Sequence, residues 1–303
     1  MKKMVIAGGS GFIGMHLAQF FTAKGYQVII LTRQPEHHDN GITFKNWDGQ
    51  HLGEWVSALE GAETLINLSG KSVDCRYTKK NKAAILNSRV LPTRVLSQAI
   101  ATLKHPPQLW INASTATIYK HSLHKAMTES NGDIGNDFSM GVAQAWEKEF
   151  FTLYTPKTRK VATRVSLVLG PNDGVYPVLK RLAQFGLGGY HGTGQQKFAW
   201  IHIQDLLHIF DFIVQNDTVT GPINCTSPHT ITNREFMAAL RSSLHIPLGI
   251  PTPTPLLNIG AFFLRTEPEL ILKSRYVYPE KLLQYGFEFQ FGDLKRALTS
   301  LSH

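Results

Sequence analysis

The feature that most constrains this chain is its first turn, where an apolar strand at residues 3–7 runs into Gly8, Gly11 and Gly14. One glycine permits the backbone angles of a tight turn, a second lets the chain approach a pyrophosphate, and a third lets helix and strand pack closely. The helix that follows offers free N–H groups to phosphates. The turn therefore predicts a dinucleotide-binding unit. Its predicted cofactor-binding residues are Gly8, Ser10, Gly11, Phe12, Ile13 and Gly14.

The segments after this turn support the interpretation. Apolar residues recur with helical spacing from Ile13 to Lys24, Gly25 suits a left-handed helix end, and residues 26–32 form a second apolar, β-branched run. Strand, glycine turn, helix and strand thus fit into about thirty residues, the size of one βαβ unit. The alternative is a structural glycine turn without a ligand, because spaced glycines also occur in loops by accident.

The end of the second strand predicts which cofactor is bound. An acidic residue here would bind both ribose hydroxyls of NAD, but this chain has Thr32 and Arg33. A guanidinium matches a 2′-phosphate with forked donors, whereas a carboxylate would repel it. We therefore predict NADP(H) rather than NAD(H). The alternative for Arg33 is an exposed arginine at a strand end without a ligand.

Strands continue to alternate with helices along the chain. Strands are predicted at residues 64–68, 109–114 and 160–169, and helices at 79–103 and 142–154, the first of them kinked or divided by Pro92. This pattern predicts an α/β fold with a doubly wound parallel sheet of the Rossmann type. Ligands bind beyond the carboxyl ends of such strands, so Ser69, Gly70, the pair Ser114-Thr115 and Val168 should converge there.

The character of the chain changes after Cys225. A helix at 233–244 is followed by a proline-rich linker at 246–255 and by apolar helical pieces at 256–264 and 268–273. We predict two domains, a nucleotide-binding domain at residues 1–225 and a small, mostly helical domain on the substrate side at 226–303.

Composition excludes several classes of protein. The chain has 303 residues, 43% of them hydrophobic and 17% charged, with two distant cysteines and no metal-binding spacing. The first apolar segment is too short for a signal peptide and no stretch reaches membrane-spanning length, which predicts a cytoplasmic protein without a membrane partner. The formal charge of +9 is dispersed and lacks aromatic platforms. It suits an anionic cofactor and small-molecule substrate better than nucleic acid.

Motifs along nearly the whole chain resemble those of the extended short-chain dehydrogenase/reductases, within them the atypical branch of epimerase family proteins similar to nucleoside-diphosphate-sugar epimerases. They are Gly8–Gly14, Leu31–Arg33, Asn67–Gly70, Ser88-Arg89, Trp146-Glu147, Val168–Gly170, Gly192–Gln195, Trp200–Asp205 and Gly286–Phe289. Each motif is weak alone, but their joint order is specific.

This resemblance implies an NADP(H)-binding core. The residues that match cofactor-contact positions of the family are Thr32, Arg33, Leu68, Ser69, Arg89 and Val168. From the residues alone, Arg89 could contact a cofactor phosphate or be an exposed helix arginine. A further contact that is acidic in some relatives falls on Ala84.

The resemblance also implies a catalytic serine or threonine, a tyrosine, and a lysine four residues after it. The first falls on Thr115, but the positions of the tyrosine and lysine hold Ser139 and Ala143. Tyr119 is the remaining acid/base candidate, against a packed or substrate-wall tyrosine. In the later motif, His202 is expected to have a structural hydrogen-bonding role, with proton transfer near neutral pH as the alternative, and Asp205 is expected to cap the next helix.

Two functions are compatible with this sequence. The first is an NADP(H)-dependent oxidoreductase or epimerase that acts on a small polar substrate, with a nucleotide sugar as the more specific case. The alternative is a noncatalytic NADP(H) sensor that controls a protein partner, which the missing tyrosine and lysine favour. The sequence leaves the oligomeric state open, and the resemblance adds a homodimer as an expectation.

Overall fold

The computed structural model describes residues 1–257 and 272–302, and an eight-stranded sheet lies at its centre. The strands are β1 (Lys3–Ala7), β2 (Gln27–Thr32), β3 (His37–Asp39), β4 (Ile42–Asn46), β5 (Thr64–Asn67), β6 (Leu109–Thr115), β7 (Arg159–Val165) and, later in the chain, Gly221–Cys225. The Gly221–Cys225 strand begins the spatial order, followed by β7, β6, β5, β1, β2, β4 and β3. Neighbouring strands are parallel except for β3 and β4, which are antiparallel at one edge.

The core lies on both faces of this sheet, because successive side chains of a strand point to opposite faces. Met4 and Ile6 of β1 pack into one buried cluster, whereas Val5 and Ala7 pack into the other. The helices are α1 (Phe12–Ala23), α2 (Lys79–Thr102), α3 (Phe138–Thr152), α4 (Tyr176–Leu182), α5 (Ile203–Gln215) and α6 (Asn233–Ser243). Residues of α1 and α5 fill the first cluster, and residues of α2 and α3 fill the second. The predicted doubly wound α/β fold is confirmed.

The strand predicted at residues 160–169 is in fact two strands, because the chain changes its neighbour at Ser166. The backbone N–H of Ser166 still bonds the carbonyl of Cys225, but that of Leu167 bonds the carbonyl of Ala199. The second strand, β8 (Leu167–Leu169), pairs in parallel with Trp200–His202 outside the main sheet. Val168 therefore lies on a separate two-stranded ribbon.

The prediction that Pro92 kinks or divides its helix differs from the structure, where α2 runs as one helix through it. The ring of Pro92 is buried, and a Cβ built on Gly49 would lie 3.3 Å from its Cγ. Packing thus outweighs the hydrogen bond that proline cannot donate.

The C-terminal part of the chain packs against the sheet domain. Strand Ile231–Thr232 pairs with Lys197–Phe198, and helix Leu294–Ser302 packs against α6, while a short helix spans Glu280–Gln284. The helical pieces predicted at 256–264 and 268–273 lie largely outside the described residues. The predicted division at residue 225 stays a prediction. In the described ranges, no helix is both long and apolar enough to span a bilayer.

Candidate functional site

The first turn has the close contacts that its glycines predict. Gly8 has a left-handed φ of +69°, and a Cβ built there would lie 2.8 Å from the Cα of Ser69. A Cβ on Gly14 would lie 2.3 Å from the carbonyl oxygen of Gly9. A side chain at either position would clash with backbone, so these glycines hold the turn against β5 and α1 against the turn.

Gly11 differs from these two glycines because its surroundings are open. A Cβ built there would meet no atom within 4 Å. Gly11 is also the N-cap of α1, where no side chain caps the helix and the first turn carries no acidic residue. The amides of this turn, which includes Phe12 and Ile13, therefore face a space that phosphate oxygens could fill.

The ends of β1 and β2 are joined beside this turn. The buried Thr32 hydroxyl donates to Ser10 Oγ over 3.3 Å. Arg33 is exposed, and it makes no hydrogen bond or ion pair with another residue that the structure describes. Its guanidinium is available to an anionic ligand at the carboxyl edge of the sheet.

Ser69 contributes an unsatisfied polar atom to the same edge. Its backbone N–H bonds Asn67 Oδ1 over 3.1 Å, but its buried Oγ has no hydrogen-bond partner among the described residues. Leu68 beside it packs against the core. A buried hydroxyl without a partner costs free energy, and a ligand seated on the Gly8 turn could satisfy it.

Arg89 of α2 reaches the same loop from the other side. Its Nη1 donates to the carbonyls of Lys71 (3.1 Å) and Ile85 (2.9 Å), and its guanidinium lies 5.2 Å from the centre of the Trp146 ring. A Cβ built on Gly70 would lie 3.2 Å from Arg89 Cζ. Burial lowers the pKa of Arg89 to about 10, so it stays charged at neutral pH. No carboxylate pairs with this cation within residues 1–257 and 272–302.

Val168 reaches the carboxyl edge from β8. A Cβ built on Gly174 would lie 2.6 Å from the Val168 carbonyl and 3.2 Å from the Phe12 ring, which places these two residues beside each other. The structure thus brings the predicted cofactor residues together at the ends of β1, β2, β5 and β8. Their contact with a cofactor stays a prediction.

Thr115, the predicted catalytic hydroxyl, ends β6 at this edge. Its Oγ1 accepts the N–H of Thr117 over 3.1 Å. The hydroxyl proton is therefore left to donate to another oxygen, such as one on a substrate.

The neighbouring Ser114 belongs to a buried ionic network. Its hydroxyl donates to Glu147 Oε1 over 2.6 Å, and Arg164 donates to both carboxylate oxygens over 2.8 and 2.7 Å. Burial alone would lower the pKa of Arg164, but the hydrogen bonds and charge of Glu147 raise it above the ordinary value. This pair fixes the end of β6 to α3 and β7.

Tyr119 lies at the far end of this network. Arg164 donates to its hydroxyl over 2.7 Å, and the hydroxyl bonds Asn224 Oδ1 over 2.9 Å and the carbonyl of Thr128 over 3.1 Å. The residue is 1% exposed, and burial raises the pKa of its phenol although Arg164 opposes this. The geometry therefore supports the packed interpretation of Tyr119 and gives no support to an acid/base role.

The two positions of the usual tyrosine and lysine lie on α3. Ser139 accepts or donates a hydrogen bond with the hydroxyl of Tyr77 over 3.2 Å. Ala143 is 1% exposed in an apolar cluster that includes Ala116 and Ile118. The space around Ala143 has no place for an ammonium group.

His202 and Asp205 anchor the C-terminal segment. Asp205 accepts the backbone N–H groups of Gln290 and Phe291, each over 2.9 Å, so it does not cap the helix as predicted. The N-cap of α5 is His202, whose Nδ1 accepts the N–H of Gln204 over 3.1 Å while Nε2 lies 3.2 Å from Ser300 Oγ. Burial lowers the pKa of His202 to about 4, so the ring is neutral at pH 7.

Sequence reasoning missed Arg164 and Tyr77. Arg164 is a cation in the middle of a predicted strand, and a buried charge of that kind needs a partner. Tyr77 lies in the loop after Gly70, at the edge where ligands bind in this fold. These positions in the sequence were the signals that could have identified Arg164 and Tyr77.

The fold defines an α/β protein of the Rossmann type, with a candidate dinucleotide site at this edge of the sheet. The sequence model of the NAD dependent epimerase/dehydratase family matches residues 4–225, and the chain belongs to this family. Residues 252–301 match a domain of unknown function, DUF1731.

Similar proteins are found over the full length. The chain is 33% identical over 302 residues to the epimerase family protein YfhF of Bacillus subtilis, covering 99% of this chain and 97% of the relative. It is 32% identical over 303 residues to the epimerase family protein SDR39U1 of Mus musculus, covering 99% of both. The crystal structure of human SDR39U1 with NADPH matches with a TM-score of 0.89 at 29% identity, covering 99% of both chains.

Proposed function

We propose that the chain is an NADP(H)-dependent oxidoreductase or epimerase that acts on a small polar substrate. The observation that supports NADP(H) over NAD(H) is Arg33. Its exposed guanidinium lies at the end of β2, where a carboxylate would select NAD. The human relative, whose crystal structure was determined with NADPH, supports the same choice. Among the described residues the Ser69 hydroxyl has no hydrogen-bond partner and the Arg89 cation has no carboxylate partner, and both groups would fit a bound dinucleotide.

A bound nicotinamide would supply or accept a hydride at a substrate carbon that carries oxygen. Gly8, Gly11 and the first turn of α1 would hold the pyrophosphate, while Arg33 would bind the 2′-phosphate. Thr115 would donate its hydroxyl proton in a hydrogen bond to the substrate oxygen and orient it.

A second candidate is a noncatalytic NADP(H) sensor. The observation that favours it is the apolar packing of Ala143, which removes the usual lysine from the site. Turnover of NADPH with any member of a panel of aldehydes, ketones and nucleotide sugars would exclude this candidate. Cofactor-dependent capture of a protein partner without turnover would exclude the enzyme.

Calorimetric titration with NADPH, NADP, NADH and NAD tests the cofactor, after the purified protein has been checked for bound nucleotide. Arg33→Ala should weaken NADPH binding roughly tenfold to hundredfold, because one charge-assisted contact is lost, and should leave NADH binding nearly unchanged. Lys157→Ala is the matched control, since it removes one exposed charge from the loop before β7, at the opposite edge of the sheet. Equal losses for NADPH and NADH in Arg33→Ala would contradict the assignment.

A further inference from the structure

Tyr77 brings a phenol to the helix position where typical relatives have their tyrosine. It lies in the loop between β5 and α2, and its hydroxyl is 3.2 Å from the hydroxyl of Ser139. Its ring is half-buried and meets the ring of Phe138 edge-on at 4.8 Å between centres. A different segment of the chain therefore carries a phenol to the first turn of α3.

The Tyr77 hydroxyl contacts α3 close to the part of that helix that packs beside Thr115. Ala116, which follows Thr115, packs in one cluster with Ala143. Ser139 precedes Ala143 by four residues and so shares its helix face, about 6 Å along the axis. The Tyr77 hydroxyl thus lies about one helical turn from the strand end that bears Thr115.

Arg89 supplies a cation in the place of the absent lysine. Its interaction with Tyr77 raises the pKa of Arg89 against the larger effect of burial. By reciprocity the guanidinium stabilises an ionised Tyr77. The other charged groups on the surrounding elements include Lys71, Asp74 and Arg76 in the loop, Lys82 on α2, and Asp137, the N-cap of α3, with its partner Lys273. Cations outnumber carboxylates in this set, and Asp137 is paired with Lys273.

We propose that Tyr77 is the acid/base of this site, in a role that rests on the proposed function of hydride transfer with NADP(H). In reduction, the substrate carbonyl carbon gains the hydride while its oxygen takes the proton of the Tyr77 hydroxyl, which leaves a phenolate beside Arg89. Solvent then returns a proton to the phenolate. Oxidation of an alcohol reverses each transfer.

The first test measures the ionisation of Tyr77 by ultraviolet difference spectroscopy of the protein without cofactor. The chain has 9 tyrosines, so wild type minus Tyr77→Phe isolates one of them. Tyr285→Phe is the control, because its hydroxyl donates to the carbonyl of Thr218 and to no other acceptor in the described part of the chain. We expect Tyr77 to ionise at a lower pH than Tyr285, because the Arg89 cation favours its phenolate. Ionisation of both over the same pH range would overturn the proposal.

The second test compares binding with turnover. Tyr77→Phe should keep NADPH affinity within about twofold and lower kcat by roughly a hundredfold or more for the carbonyl compound that the wild type reduces fastest. Tyr285→Phe should change neither quantity. Turnover by Tyr77→Phe within threefold of wild type would overturn the role of Tyr77 and leave the proposed function intact. A wild type that binds no NADPH would overturn the proposed function itself.

Discussion

The two Arg–Glu pairs of α3 allow a quantitative test of what holds the end of β6. Glu147 pairs with Arg164, and their side chains are only 10% and 9% exposed. Glu149, two residues later, forms the same two-pronged contact with Arg94, whose side chain is 50% exposed. The same substitution, Glu→Gln, can therefore be made in a buried pair and in a surface pair on one helix.

Glu147→Gln leaves the Arg164 charge buried without a counterion. Removing one partner of a buried pair costs about 3–5 kcal/mol. An unfolding entropy of about 2.1 cal/mol/K per residue over 303 residues is about 0.6 kcal/mol/K, so Tm should fall by about 5–8 °C. Glu149→Gln should cost at most about 1 kcal/mol, or less than about 2 °C.

Circular dichroism melts of both variants without cofactor measure the difference. A smaller or equal fall in Tm for Glu147→Gln would refute the reasoning, since it would mean that the buried pair contributes no more than the exposed one. Glu147→Gln should also leave the helix content at low temperature unchanged, which separates destabilisation from misfolding.

Three further outcomes follow from the geometry. Gly11→Ala should change the free energy of unfolding by less than about 0.5 kcal/mol but weaken NADPH binding, whereas Gly14→Ala should cost at least about 2 kcal/mol; melts and calorimetry of both would show it, and the reverse order would contradict the turn geometry. Folded His202 has its pKa lowered from 6.5 to about 4, so its neutral ring stabilises the fold fully above pH 6.5 and loses this contribution as the pH falls toward 4. Between pH 6.5 and 4 the free energy of unfolding, measured in urea, should fall by about 3 kcal/mol more in the wild type than in His202→Asn. Parallel plots of this free energy against pH for the two proteins would exclude the contribution of His202. Tyr119→Phe should lower stability by about 1–3 kcal/mol and keep both NADPH binding and turnover, whereas selective loss of turnover would establish Tyr119 as the acid/base.

The first βαβ unit could be predicted from the sequence because its signals are local. Glycine spacing, a helical period and a β-branched run all lie within residues 3–32, and the structure places β1, α1 and β2 there. Predictions failed where distant residues decide the outcome. The break at Ser166 depends on Cys225 and Ala199. The start of α3 at Phe138 was missed although its signal is local, because Asp137 caps the helix by accepting the N–H of Met140.

The residues of the candidate site likewise divide into those that the sequence could predict and those that it could not. Strand ends are predictable in this fold, so Ser69, Arg33 and Thr115 could be named before the structure was known. The contact between Tyr77 and Ser139 joins residues 62 positions apart and has no periodic signal. Such contacts become visible only when the loop after β5 has been folded over α3.

The apolar cluster at Ala143 limits which substitutions this site can accept. A lysine there would meet Ala116, Ile118 and Met127, which have no side-chain oxygen, and the Tyr119 hydroxyl in the same cluster already bonds Arg164, Asn224 and Thr128. A tyrosine at position 139 would still lack the lysine that activates it in typical relatives. Installing that pair would therefore require further substitutions around Ala143, whereas no described residue of the loop after β5 or of α2 belongs to this cluster.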